Sequence, residues 1–206
     1  MKLVQKLVAS AAFAALCVPM AAMAQEAPVK IGVVSFLSGP AASPFGVPAR
    51  NAAEIMFEMV NGGKVPAPYA TKGFGGAPLK MQLVDESGGT TTQVTEFRNL
   101  VQRENVDMVI GYISSGSCLG IAPVAEELKK LTVFFDCGTP RVFEERSYKY
   151  VFRTAATATM DSVGAALYVR DLKKGRIKTI AGPIPVSIEA LFVKMVEFLQ
   201  RHLNGN

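Results

Sequence analysis

Two short segments carry the polar groups best suited to grip a small molecule. Ser114-Ser115-Gly116-Ser117 lies between a stretch that reads as a strand and one that reads as a helix. Hydroxyls and free backbone N–H groups at a helix start suit a carboxylate or another anion. Serines also cap helices with no ligand involved, and for this segment alone both readings stand. Cys137-Gly138-Thr139-Pro140 follows the next strand. Gly138 lets backbone approach a ligand, and Thr139 offers a donor and an acceptor. An ordinary turn is the plainer alternative. Two such loops on adjacent strands point to binding more strongly than either loop alone. Phe45, in an earlier loop, could wall a pocket or pack beneath its own loop.

Catalytic chemistry is poorly provided for. The one histidine, His202, is far from any candidate nucleophile, which disfavours Ser-His and Cys-His mechanisms. There is no G-x-S-x-G elbow, so a hydrolase is disfavoured too. There is no G-x-x-x-x-G-K-[ST], and no G-x-G-x-x-G follows the first strand. Lys72-Gly73-Phe74-Gly75-Gly76 precedes a strand and fits a flexible loop. Asp85-Glu86 reads as a strand-end turn and Glu126-Glu127 as a solvated helix face. Cys118 and Cys137 lack the companions of a tetrahedral metal site, but in an oxidising compartment they could pair. Neither a cofactor nor a metal is expected.

The elements that must position these groups alternate. Val29–Phe36 is nearly continuous apolar and β-branched, as a strand buried on both faces should be. Leu37–Val47 reads as a loop. Pro48 opens a helix whose Ala52, Ile55, Met56, Met59 and Val60 form one apolar face, ended by Asn61-Gly62-Gly63. Lys64–Pro78 is a Gly/Pro-rich loop, and Leu79–Val84 alternates as a strand. Threonines 90–92 can cap a helix bearing Val94, Phe97 and Val101. Strands at Val106–Ile110 and Thr132–Phe135 flank a helix bearing Ile121, Val124, Ala125 and Leu128. Tyr148–Phe152 reads as a short strand or extended crossover. Thr159–Lys174 is a helix with Met160, Val163 and Leu167 inward, followed by a strand at Arg176–Ala181. A last helix carries Ile188, Leu191, Phe192, Met195 and Leu199 on one face.

This order predicts an α/β fold, a parallel sheet with helices on both faces and right-handed crossovers. Ligands on such sheets bind beyond the carboxyl ends of the strands. The loops Phe36–Gly46, Tyr112–Cys118 and Asp136–Arg141 are therefore the ones to inspect.

The first residues read as a secretory leader: Lys2 and Lys6, an apolar run Leu7–Val18, then Ala22-Met23-Ala24 as the cleavage site. Leu16 is bulky before Cys17, which argues against lipidation. Cleavage after residue 24 removes two lysines and no acid, taking the formal charge from +5 to +3. No long basic run remains, so nucleic acid is not an expected partner.

KIGVVSFLSGPAASPFG (Lys30–Gly46), VDMVIGYISSGSCLGIAPVAEE (Val106–Glu127), FFDCGTP (Phe134–Pro140) and YVFRTAAT (Tyr150–Thr157) occur in this order. In this the chain resembles the leucine/isoleucine/valine-type amino-acid-binding proteins of ABC importers, the type I periplasmic binding proteins, from about Val29 to Ala181. The resemblance implies two α/β lobes that close on a solute, with a membrane permease as partner and no enzymatic activity. It places the leader at 1–24, an N-terminal ligand-binding lobe at 25–154, and the start of a second lobe, largely missing, at 155–206. It carries ligand contact onto Ser115, flanked by Ser114 and Gly116. Cys137, Gly138 and Thr139 fall on the second ligand loop, and Phe45 at an aromatic position over the ligand. Cys137 replaces the usual alanine and Cys118 is additional, so their disulfide would differ from the family's usual one. From Pro183 the likeness lapses, and a truncated form is expected. Its function would be uptake of branched-chain or related amino acids or small organic acids from the periplasm. An inactive or ligand-sensing fragment is the alternative.

Overall fold

A computed structural model describes residues 26–173. The leader, the Arg176–Ala181 strand and the last helix lie outside the described residues.

Five strands form one parallel sheet in the order β2-β1-β3-β4-β5. They are β1 (Val29–Ser35), β2 (Leu79–Asp85), β3 (Met108–Gly111), β4 (Thr132–Phe134) and β5 (Val151–Arg153). The helices between them are α1 (Val47–Gly62), α2 (Gly89–Gln102), α3 (Ser115–Glu127) and the single turn α4 (Arg141–Glu144); α5 (Ala158–Lys173) follows β5. The fold class read from the sequence is the one observed. The segment read as a loop at Leu37–Val47 is partly helical, because Ala42–Gly46 forms a π-helical turn running into α1. The threonines do not cap α2. Gly88, in the left-handed region, occupies that position, and the Thr92 hydroxyl donates back to the Gly88 carbonyl at 2.9 Å.

The two sheet faces differ. Gly32, Val109, Thr132 and Val151 stand in register on one face, with Val34 and Phe134 one step along it. Helices α2 and α3 cover this face, and Phe97, Leu100, Ile121 and Ala125 complete the core. On the other face Leu83, Val33, Ile110, Val133 and Phe152 form a register row across all five strands. Chain direction along the sheet reverses after β2, so right-handed crossovers put α1 on the face opposite α2 and α3. On the sheet, helix α1 packs chiefly on β1 and β2. Val33 is buried beneath it, whereas Ile110 and Val133 are half-buried and Phe152 is 51% exposed.

The expected apolar face of α1 is corrected. Ala52, Ile55 and Met56 are exposed, whereas Met59 and Val60 are half-buried as expected and are joined by Ala53 and Phe57. Five apolar residues give the helical period, but the sheet beneath selects the phase. On α5, Met160 and Val163 are likewise exposed rather than inward, because no described element covers them.

Candidate functional site

Parallel strands bring the carboxyl ends of β1, β3 and β4 to one edge, and strand order reverses between β1 and β3. Ligand sites form at such a reversal. The loop after β3 is tightly specified. A Cβ on Gly111 would sit 2.5 Å from the Val34 carbonyl oxygen, so only glycine lets β1 and β3 approach here. Tyr112 follows with φ +70°, a left-handed backbone that side-chain-bearing residues seldom adopt. Its ring is buried edge-on to Phe134, 5.9 Å between centroids. Its hydroxyl has no partner among the described residues, and burial pushes its pKa up, helped by the charges of Glu86 and Glu96.

Ser114 is the N-cap of α3, and its hydroxyl accepts from the Ser117 N–H at 3.4 Å. The Ile113 and Ser114 N–H groups donate to the two oxygens of Glu86 at 2.7 and 2.8 Å. The N–H groups of Ser115 and Gly116 have no partner among the described residues. Glu86 is 1% exposed. Burial raises its pKa, opposed by these N–H bonds and the Ser117 hydroxyl.

In the second loop all three carbonyls are engaged. Arg153 donates to Thr139 O at 2.6 Å and Cys137 O at 3.2 Å, and Ala158 N–H donates to Gly138 O at 2.7 Å. The Gly138 and Thr139 N–H groups have no partner among the described residues. A Cβ on Gly138 would meet that of Ala158 at 3.4 Å, so bulk there presses on α5. The Arg153 guanidinium is held over the Phe143 ring, 5.3 Å from its centroid. Burial also raises the pKa of Asp136, with Asp161 adding to it.

Cys118 in the first turn of α3 and Cys137 are joined as a buried disulfide with Cα atoms 6.4 Å apart. The structure thus brings Ser114, Ser115 and Gly116 beside Cys137, Gly138 and Thr139, since Gly111 and Phe134 are register partners. Phe45 lies on the same sheet edge but is 54% exposed, and so is not packed beneath its own loop. The acidic pairs need revision. Glu86 is buried, and Glu126 accepts from the Lys149 and Tyr150 N–H groups, while Glu127 alone fits the solvated face, paired with Arg98. Glu86 and Arg153 were missed as site residues. The only signal was position, each at the end of a strand. No cluster of metal-ligating residues occurs among the described residues. A 360 Å³ groove beside edge strand β2, lined by Gln82, Glu96, Asn99 and Arg103, involves none of the three loops.

What the arrangement can do is donate. Two loops offer N–H groups and hydroxyls at one sheet edge, the N–H groups without partners and no nucleophile–base pair beside them among the described residues. The sequence matches the family profile described as periplasmic binding protein over residues 28–190. The chain belongs to that family. The match passes Pro183, further than the likeness read from the sequence. Among solved structures, this periplasmic binding protein is similar to the leucine-binding protein LivK of Thermotoga maritima (23% identity, TM-score 0.59, 69% of this chain and 37% of that one). It is similar to LivJ of Streptococcus pneumoniae, solved with isoleucine (18%, 0.61, 70% and 38%). It is also similar to an R. palustris ABC transporter solute-binding protein solved with 4-hydroxybenzoate (22%, 0.62, 84% and 44%). The match covers less than half of each of those chains. No curated protein matches it.

Proposed function

We propose that this periplasmic binding protein is a solute-binding component of an ABC importer. Its solute would be a branched-chain or related amino acid or a small organic acid. The observation that carries this is the pairing of two loops whose carbonyls or caps are satisfied and whose N–H groups are not. Ser115 and Gly116 on one side, and Gly138 and Thr139 on the other, present donors to a single region. Donors without acceptors at a sheet edge suit a carboxylate, the group that amino acids and aromatic acids share.

In this reading residues 25–154 are one ligand-binding lobe and residues 155–206 begin the second. Helix α5, with Met160 and Tyr168 exposed, fits an element that belongs elsewhere than on the first lobe. Phe45 shields the solute, and the protein binds without turnover. Residues 1–24 direct it to the periplasm and are removed, and a membrane permease receives the solute.

Isothermal titration with L-leucine, L-isoleucine and 4-hydroxybenzoate tests the reading. Binding of one of them, weakened by Thr139→Val, is expected. No heat from any, together with a lack of amide shift changes at Ser115 and Gly138, overturns it.

A further inference from the structure

Glu86 is unusual among the acids of this protein. It is buried at the end of β2, yet no lysine or arginine pairs with it among the described residues. A buried carboxylate without a cation is costly and persists where hydrogen bonds hold it. Here its partners are the Ile113 N–H at 2.7 Å and the Ser114 N–H at 2.8 Å, one to each oxygen, with the Ser117 hydroxyl beside them. To reach them the side chain spans β1, which lies between β2 and β3.

The consequence lies in which donors remain. A helix start leaves its first N–H groups without intrahelical partners. At the start of α3, Ser117 N–H is taken by the Ser114 hydroxyl, and Ile113 and Ser114 N–H are taken by Glu86. That leaves Ser115 and Gly116 as adjacent donors. Without Glu86, four consecutive N–H groups would compete for water or ligand, and the left-handed turn at Tyr112 would lose the anchor immediately after it.

We propose that Glu86 is a positioning residue of the solute site, which selects the Ser115 and Gly116 N–H groups as the pair that meets the ligand carboxylate. This rests on the solute-binding reading above. Glu86 is held by the Ile113 and Ser114 N–H groups and the Ser117 hydroxyl and does not contact the solute. The titratable groups facing Glu86 are Asp136 beyond β4 and the Tyr112 phenol beyond β3.

The full chain is studied by amide NMR and titrated with L-isoleucine and 4-hydroxybenzoate, as wild type, Glu86→Gln, Glu86→Asp and the surface control Glu127→Gln. Glutamine turns one acceptor into a donor facing an N–H. Hydrogen-exchange protection at Ile113 and Ser114 should then fall roughly tenfold or more, and probe affinity by a similar factor, with circular dichroism unchanged. Glu86→Asp keeps both acceptors on a shorter stem and should restore part of both. In wild type, the Ile113 and Ser114 resonances should titrate together, above the ordinary glutamate range. Glu127→Gln should move nothing. Probe binding by wild type that Glu86→Gln leaves unchanged overturns the positioning role and leaves the solute-binding reading intact. Absence of probe binding by wild type overturns both. If Glu86→Gln unfolds, Glu86→Asp with unchanged protection and unchanged affinity overturns the proposal.

Discussion

Arg153, at the end of β5, donates across to the Thr139 carbonyl at 2.6 Å and so fixes the loop that follows the neighbouring strand β4. The same nitrogen reaches the Cys137 carbonyl. Carbonyls turned toward a guanidinium leave the N–H groups of the loop facing away from it. An arginine at a strand end therefore sets the polarity of a segment fourteen residues before it in sequence.

Replacing Arg153 by Met keeps the apolar stem and removes the donors. Two carbonyls lose charge-assisted partners and the contact with Phe143 is weakened. The expected loss is about 2 kcal/mol of stability, read as a lower urea midpoint at unchanged slope. Lysine should recover only part of it, because a compact ammonium cannot both stack on Phe143 and bridge two carbonyls. A loss below about 0.5 kcal/mol would reject the role.

The bond between Cys118 and Cys137 closes a loop with a sequence separation of 19. Each sulfur is bonded to the other, so neither Cys118 nor Cys137 should titrate as a free thiol in unreduced, denatured protein. Reduction should lower stability by about 3 kcal/mol, the chain-entropy value for a loop of this length. Two titratable thiols in unreduced protein would show that the bridge does not form.

The strands were legible because their cause is local. Val29–Ser35 is a buried parallel strand, and its run of apolar, β-branched residues says so directly. Glu86 was not legible for the opposite reason. An acid beside Asp85 at a strand end looks like a turn, and its burial depends on a loop arriving from residues 113 and 114. Arg153 was hidden in the same way, its partners lying across a strand boundary. Gly111 and Tyr112 carry a constraint set by β1, which no local pattern around them records. The phase of α1 was only partly legible, because Ala52, Ile55 and Met56 satisfy a helical period with Met59 and Val60 while the sheet lies to one side of them. The candidate loops themselves were legible, because strand–helix alternation alone assigns them to the carboxyl edge.

Asp85 gives an acid-dependent prediction. Partial burial works to raise its pKa, but bonds from the Ser38 hydroxyl at 2.6 Å and the Leu37 and Ser87 N–H groups outweigh this and hold it well below the ordinary 3.8. A carboxyl whose folded pKa is depressed stabilises the fold above its unfolded pKa and loses that contribution as pH falls toward the folded value. Asp85→Asn should therefore cost about 2 kcal/mol between pH 5 and 7, with the gap from wild type closing below about pH 4. Urea titrations at several pH values check it. A gap that widens in acid would reverse the assignment.

Phe152 ends the register row on the sheet face that α1 covers chiefly over β1 and β2. A fully buried phenylalanine truncated to a small residue costs about 3–5 kcal/mol, because it leaves a cavity and forfeits transfer energy. Phe152 is 51% exposed with no described element over it, so little cavity can form. Phe152→Ser should cost under about 1 kcal/mol, while Phe134→Ser, on the covered face and fully buried, should cost several times more. Chemical denaturation of both variants makes the comparison within one protein. Equal losses would mean that both faces of the sheet are covered in solution, and that the half-open end of the row, from Ile110 to Phe152, is a core surface.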